Sequence, residues 1–153
     1  MNKSANKKFA AAKIHGSCDY KDIHGNVTFR QGRCGTIVTA EVWGLPKDCE
    51  KCKDNIFAFH IHTGSECTGN SEDPFANVGM HYNPDGCNHP NHAGDLPPLF
   101  GNNGYAYLTT FTNRFTVDDI IGKTVIIHRM PDDFTTQPSG NAGEKIACGE
   151  IKG

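Results

Sequence analysis

The chain contains no apolar run long enough to cross a bilayer as a helix, which takes about 20 residues. It also lacks an excess of either charge: 15 Lys and Arg face 17 Asp and Glu, for a formal net charge of −2. That balance removes the basic footprint expected of a nucleic-acid binder or a membrane-surface protein, so neither is expected as a partner. Helical periodicity is scarce, and the best amphipathic stretch, Thr116–Gly122, is short. No internal repeat or low-complexity segment is present. Met1–Lys8 is polar and basic, but only Phe9–Ala12 follows as an apolar stretch, too little for the core of a secretory signal. The expectation is a cytoplasmic protein as the chain is written, or a periplasmic or extracellular one whose signal has been removed.

What is present points to β structure. A chain of 153 residues suits one domain, 1–153, and 17 glycines with 8 prolines imply many turns. Short alternating segments recur between those turns: Phe9–His15, Gly25–Arg30, Thr36–Gly44, Asn55–His62, Asp95–Phe100, Tyr105–Phe111, Lys123–His128 and Lys145–Ile151. Within Asp95–Phe100, Pro97-Pro98 restricts the strand to an edge or a strand end. Gly101-Asn102-Asn103-Gly104 reads as a tight turn, with Tyr105–Phe111 as the hairpin partner. This pattern predicts an all-β fold of eight strands, a sandwich or barrel. Two long stretches, 63–94 and 129–144, are not strand-like, and loops of that length in a small domain usually carry function.

Six of the eight histidines form a pattern. His60 and His62 are two residues apart on a strand and so project from one face, about 7 Å apart, where two imidazoles can chelate one ion. Phe57, Phe59 and Ile61 occupy the other face and suit a core. The following loop adds His81, His89, His92 and Asp95 within 15 residues. His89, His92 and Asp95 are spaced i, i+3, i+6, and three nitrogens with one carboxylate oxygen suit tetrahedral zinc. His128 ends the apolar segment Thr124–Ile127, in position to complete a second site. His15 and His24 lie outside this set and read as surface residues.

Together these segments resemble the copper,zinc superoxide dismutases. The likeness is carried by Phe59-His60-Ile61-His62, His81-Tyr82-Asn83-Pro84, His92-Ala93-Gly94-Asp95-Leu96 and Gly122–His128, then by Asp132-Asp133, Gly140-Asn141-Ala142-Gly143 and Ile146-Ala147-Cys148-Gly149. It implies an eight-stranded Greek-key barrel of immunoglobulin-like sandwich architecture with two long functional loops. The implied activity is dismutation of superoxide to O2 and H2O2. The resemblance assigns copper to His60, His62, His81 and His128, and zinc to His81, His89, His92 and Asp95, with His81 bridging the metals and relaying a proton. Asp132 takes the place of a carboxylate behind the ligands that joins His60 to His89 and orients both rings. Lys145 stands where the family has an arginine that guides the anionic substrate; it keeps the charge without the planar fork. Zinc loop and electrostatic loop are both short, as in a bacterial-like member.

Cys67 and Cys148 match the family's disulfide. Five further cysteines, 18, 34, 49, 52 and 87, leave an odd total of seven and thus at least one free thiol. Cys49-x-x-Cys52 lacks the βαβ context of a redox motif, and loop bridges Cys52–Cys87 and Cys18–Cys49 are the pairings considered. The alternative function on the same ligands is a copper- and zinc-binding module without turnover, or a zinc-only structural barrel. Association, as monomer or homodimer, is not legible in the chain.

Overall fold

The computed structural model describes residues 8–50, 53 and 55–153. Eight strands appear among them: β1 Phe9–Gly16, β2 His24–Gln31, β3 Thr36–Trp43, β4 Ile56–His62, β5 Asp95–Phe100, β6 Ala106–Thr112, β7 Thr124–His128 and β8 Lys145–Lys152. They form one antiparallel sheet in the order β5-β4-β7-β8-β1-β2-β3-β6, which curls so that β5 and β6 approach each other. The sheet is thus a nearly closed barrel, and its non-sequential neighbours, β4–β7, β8–β1 and β3–β6, mark a Greek-key topology.

Alternation sets which side of each strand faces inward. Ala10, Ala12 and Ile14 on β1 are buried, as are Val27 and Phe29 on β2 and Val38, Ala40 and Val42 on β3. Pairing places Ala12 opposite Val27 and Phe29 opposite Val38, so apolar side chains stack across the ladder. Phe57, Phe59 and Ile61 of β4 join the same core with Leu96, Leu99, Val125, Ile127 and Ile146. The small cluster of Phe75, Val78, Ile126 and Cys148 lies under the loop that follows β4.

Two expectations change. The turn at 101–104 is tight, with Asn103 and Gly104 at φ 52° and 85°, but only the isolated bridge Asn102–Tyr105 closes it. β5 pairs with β4 and β6 with β3, so they are not a hairpin. Pro97 and Pro98 lack N–H donors, which suits β5 to the edge and places the open seam between β5 and β6. The helical segment shortens to α1, Val117–Ile120, where the Asp119 carboxylate accepts from the Thr116 N–H and Gly122 turns the chain at φ 81°.

Candidate metal centre

β4 is buried along nearly its whole length because its outward face lies under the long loops. His60 and His62 project on that side, and both are inaccessible, at 0% and 4% exposure. β7 pairs with β4, and the irregularity in its pairing with β8 falls between Ile127 and His128. That bulge turns the last residue of β7 toward the same spot. The loop returns at His81, which bridges to His62 as an isolated β contact, and Asp95 opens β5 directly opposite His60.

The result is two quartets. Donor atoms of His60, His62, His81 and His128 all lie within 4.8 Å of one another, and so do those of His81, His89, His92 and Asp95. His81 belongs to both. Its Nδ1 is 2.9 Å from Asp95 Oδ1 and 3.3 Å from His92 Nδ1, whereas its Nε2 is buried without any partner.

Hydrogen bonds assign the ring protons. His62 Nδ1 donates to the Gly79 carbonyl at 2.9 Å and His128 Nδ1 to the Gly143 carbonyl at 3.2 Å. Each ring therefore turns an Nε2 lone pair toward the other, at a separation of 3.3 Å. Two lone pairs this close in a buried place repel unless a cation lies between them. His60 Nε2 and His89 Nε2 donate to the two oxygens of Asp132, both at 2.8 Å, leaving His60 Nδ1 and His89 Nδ1 buried and without hydrogen-bond partners. Orphaned polar atoms of this kind are costly and rare, and here they point at the quartets. Four imidazole nitrogens suit copper and three nitrogens with a carboxylate suit zinc, so the residues fit both metals.

Electrostatics agree with neutral ligands. Burial holds His60, His62 and His92 below the usual imidazole value and takes His128 down to about 3. Burial works against the Asp132 carboxylate, yet hydrogen bonds from His60, His89 and the Phe134 N–H overcome it and bring the group to about 2. In Asp95 the same opposition is decided by the hydrogen bond from His81 and the adjacent imidazoles, which keep it below the ordinary carboxylate value.

A sequence model of the copper/zinc superoxide dismutases matches residues 23–151. The chain belongs to this family. Among curated superoxide dismutases it is 34% identical to the extracellular [Cu-Zn] enzyme of Drosophila melanogaster over 149 residues, covering 87% of this chain and 77% of that one. It is 32% identical to the [Cu-Zn] enzyme of Legionella pneumophila over 140 residues, covering 84% and 77%. The Cu/Zn superoxide dismutase of Brucella abortus has the same fold, with a TM-score of 0.77 at 22% identity over 95% of this chain and 100% of that one. Copper and zinc are the family's metals.

Other elements hold the dismutase loops in place. Cys67 and Cys148 form a disulfide with Cα atoms 5.8 Å apart, tying the loop after β4 to β8. Among the described residues Cys18, Cys34, Cys49 and Cys87 are exposed and pair with no other cysteine, so the Cys18–Cys49 bridge is not formed. Its only basis was that both residues fall in loops, and bridging requires a Cα separation of roughly 4–7 Å that loop membership does not supply. The Cys52–Cys87 pairing falls on Cys52, which lies outside the described residues. His15 and His24 are exposed, His24 stacked on Trp43. Several supporting residues carry no local sequence signal. Arg114 Nη1 donates to the carbonyls of Pro90 and His92 at 3.0 and 3.1 Å. Gln137 brackets His89, accepting from its N–H at 2.9 Å and donating to its carbonyl at 2.7 Å. Gly140, at φ 71°, passes so close to Asp132 that a Cβ would stand 2.1 Å from Oδ1. The Gly-Asn-Ala-Gly motif contains this glycine, but its role needs the fold.

Lys145 lines a cavity of about 440 Å³ whose floor includes His62, His81 and His128. Its ammonium is paired with Asp73.

Proposed function

We propose that this chain dismutes superoxide at a copper held by His60, His62, His81 and His128, beside a zinc held by His81, His89, His92 and Asp95. Two superoxide anions and two protons become O2 and H2O2. Bound copper supplies the one-electron exchange, and bound zinc supplies a redox-inert positive charge. The observation that carries the reading is His81, whose Nδ1 faces Asp95 and His92 while its buried Nε2 has no other partner.

The chain's own residues do the rest. Gly79 and Gly143 accept the Nδ1 protons of His62 and His128, which presents both Nε2 atoms as ligands. Asp132 accepts from His60 and His89 at once, so one carboxylate sets the ring angle of a ligand in each quartet. His81 Nε2 is the atom that can hold a proton when it is not acting as a ligand, and His81 is among the residues lining the cavity through which superoxide arrives. Lys145 supplies the only cationic side chain lining that cavity among the described residues.

The test is to load the protein with both metals, quantify each, and follow superoxide loss. Occupancy near one copper and one zinc per chain with rapid loss is expected. Full occupancy without turnover favours the metal-buffer alternative, and zinc without copper favours the structural one. Against both stands a ligand set with no position replaced.

A further inference from the structure

The mouth of the copper quartet is unusual for a site that receives an anion. Four carboxylates, Asp19, Glu72, Asp73 and Glu144, line the cavity against the single ammonium of Lys145. That ammonium is not free. It is paired with Asp73 Oδ2, and the Lys145 side chain is only 18% exposed against 38% for its partner. Glu144, the neighbouring acid, accepts from the Tyr20 hydroxyl.

Asp73 is built into its place. Its Oδ1 accepts from the Phe75 N–H at 3.0 Å, its own N–H donates to Asn70 Oδ1 at 3.0 Å, and its carbonyl accepts from the N–H groups of Asn70 and Ala76. Phe75 anchors this turn in the small core beside Cys148, and the Cys67–Cys148 disulfide ties the same loop to β8. Lys145 begins β8, three residues before Cys148. The loop that delivers His81 therefore also delivers, 72 positions from Lys145 in the chain, the carboxylate that meets it.

We propose that Asp73 is a positioning residue that holds Lys145 in the cavity wall and cancels its charge, so that superoxide reaches the copper quartet without cationic steering. The proposal rests on the reading of Lys145 as facing the copper. Steering by a complementary field raises association 10- to 1,000-fold and fades with salt, so compensation has a kinetic signature.

The first measurement needs no variant. In the copper- and zinc-loaded protein, the rate of superoxide loss stays flat or rises as salt goes from about 0.01 to about 0.2 M; a falling rate overturns the proposal. Asp73→Asn keeps the acceptor for the Phe75 N–H and removes the charge. It raises the low-salt rate by roughly three- to tenfold and makes it fall with salt. Azide, a small unreactive anion followed by the copper absorption band, binds the variant tighter by a similar factor, a readout independent of turnover. Glu72→Gln removes the same charge from the rim without touching Lys145 and gives a clearly smaller change. Adding Lys145→Ala to Asp73→Asn abolishes the gain. Equal effects of Asp73→Asn and Glu72→Gln, or a gain that survives Lys145→Ala, overturn the pairing. Failure of the dismutase reading appears separately, as no superoxide loss in any variant while azide binding still responds.

Discussion

Three of the four histidines in one quartet ride on strands, His60 and His62 on β4 and His128 at the end of β7. In the other, His81, His89 and His92 hang from the loop after β4, and only Asp95 begins a strand. The strand-borne set takes its geometry from the barrel and contains no acid; deep burial keeps the imidazoles of His60, His62 and His128 neutral. The loop-borne set has no ladder to hold it and is clamped instead by Asp132, Arg114, Gln137 and the disulfide. Rigid backbone places ligands cheaply but in few directions. A loop can wrap an ion, and then needs a shell of hydrogen bonds to stay wrapped.

Removing the shared residue should break this contrast most completely. His81→Ala is expected to reduce superoxide loss to the uncatalysed background and to lower both metal contents, whereas His92→Ala should deplete zinc and spare copper; metal analysis of the two proteins checks it. Asp132→Asn cuts the tie between the quartets. Zinc affinity should fall about 10- to 100-fold, read by competition with a chelator. A zinc affinity unchanged by that substitution would show the loop set to be self-sufficient.

The disulfide separates loop from barrel. Replacing Cys67 and Cys148 by Ser should cost about 2–5 kcal/mol. At roughly 2–4 °C per kcal/mol for a chain of this size, Tm of the metal-free protein should drop by about 4–20 °C.

Acid should act first on the buried histidines of both sets and only later on Asp132. His60, His62, His92 and His128 have folded pKa values below the ordinary 6.5, so the unfolded chain takes up protons first. Their contribution is complete above 6.5 and is lost as pH falls from there toward the folded values, about 3 for His128. Asp132 is depressed from 3.8 to about 2, so its contribution is present above 3.8 and lost as pH falls through about 2. Urea unfolding of the metal-free protein should weaken already between pH 7 and 5, and a flat profile there would contradict neutral buried histidines. The smallest effect is expected of Arg114→Ala, which loses two bonds to the zinc loop. About 1 kcal/mol should show as severalfold faster zinc release to a chelator.

Much of this was legible in the chain. Short strand-like segments between turn residues located all eight strands to within a residue or two, and period-two alternation marked those with one buried face, such as β1, β2 and β3. His60-x-His62 and His89-x-x-His92-x-x-Asp95 were visible as chelating spacings because local backbone geometry brings those side chains together. Gly140, Arg114 and Gln137 were not visible, since each acts on a partner far away in the chain. The hairpin expected at 101–104 failed because a turn sequence specifies a reversal of direction and not which strand each arm then joins.

The sequence by itself determined the strands and the donor types, since these depend on neighbours within a few residues, and the family resemblance marked seven candidate ligand positions. Only the tertiary structure decided which nitrogen of His81 faces Asp95 and His92, which ring nitrogen the other histidines offer, and that the ammonium of Lys145 meets Asp73. Those outcomes require the barrel to curl and two long loops to fold back over β4, and burial alone makes one hydrogen bond or one paired charge decide an orientation.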